Sequence, residues 1–361
     1  MSRWVAAIGE NPLRVLRLAS HARPAQIVVI STPETRYVVP EIRTALGELD
    51  VDTEVKEVAG DAYRWDVTAA AIAAAIQGAA RDYHWLIAGG TKPMIAAQVS
   101  VGADVPAEQF WSLDDRAGIL QAWTGEQARI EPPARNLSVS TMARLHAGMG
   151  VELDDNFAAP TSSGSVARQS IATWAKALGR SSRAQDVAQR IAVNRNAEAG
   201  FVALVRAMLP SKYGVYGSTT VILRDPVDPS VPARDPFRSG DASTGDYAPR
   251  TFELDGVVIR GLQPWVLEFK NAKIPPLGVR THAAELDIRR RHFGGDGAIG
   301  VLATTTRAPE DGDAADVVSP LVPLEFELGR TLHVDLPLLK EAAQCWLNGM
   351  GDASRLAAVI R

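Results

Sequence analysis

The 361 residues include a single cysteine, Cys345, so no disulfide can form within the chain, and such sparing use of thiols fits a reducing, cytoplasmic setting. No apolar stretch approaches the roughly 20 residues that a membrane-spanning helix requires. The opening MSRWVAAIGENP turns polar after Ile8, unlike a secretory signal. The histidines (His21, His84, His146, His282, His292 and His333) are scattered and include no HExxH pair, which argues against a zinc site. Neither sign of charge dominates: 38 Lys and Arg against 42 Asp and Glu leave a net charge of −4, and composition alone points to no nucleic-acid partner. GxxxxGK[ST] is missing, and Gly9-Glu10-Asn11-Pro12 is not GxGxxG, so a Walker ATPase and a conventional dinucleotide enzyme are both disfavoured. What is present is an ordinary globular composition, 46% apolar and 22% charged, in a chain long enough for two domains.

The first 145 residues read as strand, polar loop and helix, repeated. Apolar runs at Trp4–Ile8, Gln26–Ile30, Thr53–Val58 and Trp85–Ala88 alternate with helical patterns from Leu13, near Val39–Leu49, across Asp66–Ala80 and after Pro93. Glu108–Leu113 and Leu120–Trp123 read as closing strands. This alternation predicts an α/β fold with a parallel sheet covered on both faces, in which ligands bind beyond the carboxyl ends of the strands. Three loops there carry small or polar residues: Gly9–Asn11, Ser31–Thr35 and Gly89–Met94. In the last, Gly89 and Gly90 allow close backbone approach, Thr91 offers a hydroxyl, and Lys92 offers charge where a helix begins. Each loop taken singly is equally well explained as turn chemistry.

Residues 125–165, rich in Pro, Asp, Ser and Thr, mark a boundary, with a short helix near Met142–Met149. From Arg168 to Lys212, eight basic residues face only Asp186 and Glu198, which suits a phosphate backbone but equally a solvated helix face. Arg195–Leu209 reads as a helix whose apolar face holds Phe201, Val202 and Val205. Glu198 lies on that face, either as a first-turn acid or as a metal-site carboxylate. Tyr213–Leu223 reads as a strand, and 224–250, with five Pro and five Asp, as a long mobile loop.

The hairpin Phe252–Lys273 carries the most chemistry. Leu254–Arg260 and Trp265–Asn271 read as strands joined through Gly261–Pro264. Period-two alternation places Asp255 with Val257 and Ile259, and Glu268 with Lys270, opposite Trp265, Leu267 and Phe269. Two carboxylates crowded on an apolar sheet repel, and one is forced towards its protonated form unless a cation intervenes. A hard divalent ion such as Mg²⁺ or Mn²⁺ meets that need, and Lys270 adds a point charge for phosphate or water. The alternative, a surface hairpin with a cross-strand charge pair, is disfavoured by the apolar flanks. Beyond the hairpin, His282–Phe293 reads as a helix ending in Arg289, Arg290 and Arg291, followed by a strand at Ala298–Thr304 and a helix at Leu336–Leu347.

Asp255, twelve residues, Glu268, one residue, Lys270 resembles the PD-(D/E)xK nuclease motif, with Leu254-Asp255 in place of Pro-Asp. The three amino-terminal loops, above all Gly89-Gly90-Thr91-Lys92-Pro93-Met94, resemble those of the CARF domain, the Rossmann-like sensor of cyclic oligoadenylates. Together the halves resemble the CARF-nuclease effectors of type III CRISPR systems. The resemblance implies a CARF-like domain at 1–145, a connector at 146–190 and a restriction-endonuclease-like domain at 191–361. It implies a homodimer whose two sensor domains enclose cyclic tetra-adenylate, preferred over the hexamer, with Gly9, Asn11, Ser31, Thr32, Gly90, Thr91, Lys92 and Met94 around it. It further implies that Asp255, Glu268, the carbonyl of Phe269 and Glu198 hold Mg²⁺ or Mn²⁺ for hydrolysis of DNA, RNA or both. Two other classes stay open: a non-enzymatic sensor that regulates through nucleic-acid binding, and a repair or restriction nuclease with a different regulatory ligand.

Overall fold

The computed structural model of the chain describes all residues except 1, 10, 116, 147, 154–170, 177, 179–186, 226, 229, 235–248, 271–273, 275, 306–329, 352–353 and 361. Most of the connector expected at 146–190 and the centre of the Pro/Asp-rich loop therefore lie outside the described residues.

In the amino-terminal half β1 (Arg3–Ala7), β2 (Gln26–Ser31), β3 (Glu54–Ala59), β4 (Tyr83–Leu86) and β5 (Phe110–Asp114) run parallel. They are connected through α1 (Leu13–Ala22), α2 (Val38–Glu48), α3 (Trp65–Ile76) and α4 (Lys92–Val101). β6 (Ile119–Ala122) and β7 (Gln127–Arg129) extend one edge antiparallel, giving the order β3-β2-β1-β4-β5-β6-β7. Successive connections run outward to opposite sides of β1, and the crevice this leaves between the β1 and β4 loops is where such Rossmann-like sheets bind ligands. Both faces are buried, as the alternation requires: Trp4, Ala6 and Ile8 enter one hydrophobic cluster, and Val5 and Ala7 another. The helix expected across Asp66–Ala80 ends sooner, because Gln77 takes a left-handed φ of 53° and caps it.

The carboxyl-terminal half is built on two further sheets. β8 (Gly148–Leu153), β10 (Thr219–Leu223) and β11 (Thr251–Leu254) form one in the order β11-β10-β8. The connector thus supplies a strand, and its helix, α5 (Val139–His146), starts and ends earlier than the pattern suggested. The expected strand Tyr213–Leu223 divides at Gly217-Ser218 into β9 (Gly214–Tyr216) and β10, which belong to different sheets. The larger sheet has the order β15-β14-β13-β12-β9, from β12 (Gly256–Arg260), β13 (Gln263–Lys270), β14 (Ile299–Thr304) and β15 (Thr331–Val334) with β9. β13 is its hinge of direction, antiparallel to β12 and parallel to β14.

Trp265, Leu267 and Phe269 of β13 pack into a cluster with Phe201, Val202 and Val205 of the helix α6 (Val187–Met208), and with Leu338 and Leu339 of α8 (Leu336–Leu347). On the opposite face Val266 joins Val257 and Ile259 in the cluster that also contains Leu13, Leu16, Leu137 and Met142. The third contributor to this face is α7 (Pro276–Gly294), through Leu286 and Phe293. One hydrophobic cluster therefore runs from the amino-terminal helices into the sheet that bears Glu268 and Lys270. Phe201 is fully buried and stacks on Phe269 with ring centroids 5.6 Å apart. Phe201→Ala is expected to lower the unfolding free energy by about 3–5 kcal/mol, measured by urea titration.

Candidate active site and ligand cavity

Asp255 occupies the bend between β11 and β12, and its Oδ2 accepts the backbone N–H of Phe269 at 2.7 Å. That bond pins the acid to the far end of β13, where Glu268 and Lys270 project. Glu268 has a side chain only 2% exposed, and its Oε1 lies 2.6 Å from Lys270 Nζ. Its two oxygens also accept from Arg289 Nη1 of α7, at 3.1 and 2.9 Å. A carboxylate removed from water needs such partners to remain charged.

The electrostatics tie in the third acid. Burial, then the charges of Glu268 and Glu198, raise the Asp255 pKa to about 7, against Lys270 and the Phe269 N–H, which lower it. Burial disfavours the Lys270 ammonium, yet Glu268 and Asp255 together outweigh it, and the pKa is raised. Asp255, Glu268, Lys270 and Glu198 thus form one interacting group. The three arginines of α7 part company. Arg289 reaches Glu268, whereas buried Arg290 pairs with Asp287 and donates to the Ala298 carbonyl at 2.9 Å; Arg291, half-exposed, contacts Asp287 at 2.9 Å. The sequence pattern did not single out Arg289, because three consecutive arginines point in three directions on a helix.

The donor set is all oxygen and negatively charged, and the burial and like charge that displace Asp255 upward are both conditions that a cation relieves; on chemistry it fits a hard divalent ion. Among the described residues, however, no three His, Cys, Asp or Glu side chains are drawn together closely enough to hold a metal, and Glu268 is engaged by two cationic side chains. Taking an ion requires the Arg289 contact to loosen.

The second site lies at the carboxyl ends of β1, β2 and β4. A cavity of about 590 Å³ is lined by Gly9, Asn11, Thr32, Gly90, Thr91 and Met94 of the expected set, by Glu34 of the expected Ser31–Thr35 loop, and by Arg14, Tyr37, Tyr63, His146 and Asp296, which sequence reasoning missed. Two expected residues do not line it: Ser31 is buried and gives its hydroxyl to Glu57 at 2.7 Å, and Lys92 is exposed. The glycines serve approach rather than flexibility. A Cβ at Gly9 would sit 2.5 Å from the nitrogen of Gly90, which itself has a φ of +73°, so the two loops touch backbone to backbone.

A hydrogen-bonded chain runs from this cavity to β13. Asp115 accepts from Asn11 Nδ2 at 3.4 Å and from Arg14 Nε at 2.5 Å, and on its other oxygen from Arg17 Nη1 at 3.2 Å. Arg17 Nη2 reaches Gln263 Oε1 at 3.4 Å, and Gln263 Nε2 donates to the Gly297 carbonyl at 2.7 Å, next to Asp296 on the cavity wall. Gln263 is the first residue of the strand that ends at Lys270. Nothing in spacing alone could reveal a relay between residues 14, 115 and 263.

No protein-family model matches the chain, and no curated protein does. Solved structures do. Protein VC1899 from Vibrio cholerae superposes with a TM-score of 0.60 at 11% identity, over 99% of this chain and 98% of that one. Can2 from Sulfobacillus thermosulfidooxidans, solved in complex with cyclic tetra-adenylate, gives 0.59 at 16% identity, over 96% of this chain and 100% of that one. A type III CRISPR defence DNA nuclease activated by cyclic oligoadenylate gives 0.52 at 16%, over 85% of this chain and 46% of that one. At these identities the likeness is one of fold, and it extends across both halves. No described helix is long and apolar enough to cross a membrane.

The raised Asp255 pKa has a sign that can be checked. Its protonated form is favoured in the folded chain, so the stability it contributes is complete below about pH 4, the unfolded value, and is lost as pH rises through about 7. Denaturant midpoints in chelator are expected to fall over that window, and Asp255→Asn to remove this part of the slope.

Proposed function

We propose that the chain is a nuclease of type III CRISPR defence, activated by cyclic oligoadenylate and dependent on a divalent metal. The observation that carries this reading is the meeting of Asp255, Glu268 and Lys270 at the end of one hairpin, within the electrostatic reach of Glu198. The spacing and the strand pairing agree with a PD-(D/E)xK site in a restriction-endonuclease-like domain, and the fold shared with Can2 and the CRISPR defence nuclease supports the pairing of such a domain with a CARF sensor.

Asp255, Glu268, the carbonyl of Phe269 and Glu198 would hold Mg²⁺ or Mn²⁺. A bound ion would supply Lewis-acid polarisation of the phosphoryl group and acidify the attacking water. Asp255 must surrender its proton to ligate, so metal affinity rises with pH through the neutral range. Lys270, kept charged by its acidic neighbours, orients the water or offsets charge growing on the phosphate. The substrate is DNA, RNA or both. At the other end the cavity takes cyclic tetra-adenylate in preference to the hexamer, two copies of the chain enclosing the symmetric ligand about a two-fold axis. The ligand activates by the difference in its affinity for the idle and active states, and the Asp115–Arg17–Gln263 chain joins its cavity to the catalytic strand.

A second reading is favoured by the engagement of Glu268 with both Lys270 and Arg289: a sensor that regulates without cleaving, in which the charged group is structural. Cleavage of supercoiled plasmid, single-stranded DNA and RNA in Mn²⁺, with and without cyclic tetra-adenylate, separates the two. Cutting that needs the ligand is expected. Glu268→Ala and Lys270→Ala are expected to lower it by about a hundredfold or more while ligand binding persists. Undiminished cutting by either variant would overturn the site, and cutting without ligand would overturn the sensor.

A further inference from the structure

The cavity is poorly provided with cations for a polyanion. Arg14 lines it but is already paired with Asp115. His146 is held neutral, its pKa brought down to about 3 by burial and then by the charge of Arg224. Glu34 and Asp296 add two carboxylates to its lining. With so little positive charge on offer to phosphates, the gain in binding has to come from the bases.

Two tyrosines line the cavity. Tyr37 is committed to the fold, with the Arg224 guanidinium 4.2 Å from its ring centroid and its hydroxyl 3.5 Å from the His146 carbonyl. Tyr63 is 86% exposed, yet its backbone is fixed. Asp61 Oδ1 accepts the N–H groups of Tyr63 at 2.8 Å and Arg64 at 3.1 Å, Gly60 N–H donates to the Ser31 carbonyl at 2.7 Å, and Thr91 Oγ1 donates to the Ala62 carbonyl at 2.7 Å. A large ring held out into water on a braced loop at a cavity rim is prepared for stacking. Glu34 lies beside that loop: the Thr32 hydroxyl and its own backbone N–H hold its carboxyl below the usual range, against the nearby charge of Asp61.

We propose that Tyr63 and Glu34 form a base-reading subsite, Tyr63 stacking on a purine and Glu34 accepting from its exocyclic amine, so that the cavity selects adenine over a base with a carbonyl in that position. The proposal deepens the cyclic-oligoadenylate reading of the cavity and rests on it for the identity of the ligand.

The test is calorimetric titration of the full chain with cyclic tetra-adenylate, cyclic tetra-inosinate, adenosine 5′-monophosphate and inosine 5′-monophosphate. Tyr63→Ala is expected to weaken the adenine ligands by about tenfold with no change in melting temperature, and Tyr63→Phe to retain them. Glu34→Gln is expected to narrow the preference for adenine over inosine. Unchanged binding by Tyr63→Ala, or an unchanged base preference in Glu34→Gln, overturns the subsite. Should cyclic tetra-adenylate fail to bind while adenosine monophosphate binds with the same dependence on Tyr63 and Glu34, the oligoadenylate reading falls and the subsite stands. Binding of none of the four overturns both.

Discussion

A carboxylate whose side chain is 2% exposed, set in a strand that packs apolar residues on both faces, has to be neutralised where it stands, because an unpaired buried charge costs several kcal/mol. Glu268 meets that demand with Lys270 from its own strand and Arg289 from the following helix. The rest of the site follows. Burial first, then the charges of Glu268 and Glu198, hold the proton on Asp255. A site in this condition is charged with unequal partners: three acids, one of them reluctant, against two cations. Such tension is costly in a purely structural hairpin and useful where an ion and a phosphate must be admitted in turn.

The site was largely legible in the sequence because it obeys a local rule. Period-two alternation on β13 fixes which way Glu268 and Lys270 point as soon as Trp265, Leu267 and Phe269 are seen to be core. Helical periodicity does the same for Glu198 relative to Phe201 and Val205. The parallel sheet and the loops at its carboxyl ends were readable on the same grounds. What escaped was set by tertiary placement. Arg289 looks no different from Arg290 and Arg291 until the helix is laid on the sheet. Ser31, at the end of β2, was expected around a ligand, but its hydroxyl is taken by Glu57 on the neighbouring strand. Asp296 reaches the cavity wall from 296 residues along the chain, and Tyr63 announces itself only through an exposed ring beside an Asx turn. The division of Tyr213–Leu223 between two sheets was hinted at by Gly217, but no rule of propensity says which sheet each piece will join.

The cavity and the carboxylate group are joined by polar contacts rather than by proximity. Asp115 gathers Asn11, Arg14 and Arg17, and Arg17 passes the connection to Gln263. β13 thus begins at a residue in contact with that hydrogen-bonded chain and ends at the carboxylate group, with β12 paired along Gln263–Leu267 and β14 along Trp265–Lys270. A strand restrained in this way moves as a unit or not at all.

The hydrophobic cluster shared by the two halves has a consequence for anyone wishing to treat them as interchangeable modules. Leu137, Val139 and Met142 share one buried cluster with Val257, Ile259, Val266 and Phe293. A cut near residue 145 would divide that cluster and leave apolar side chains bare on both pieces. Transplanting the amino-terminal half onto another protein would therefore demand matching that cluster, side chain by side chain.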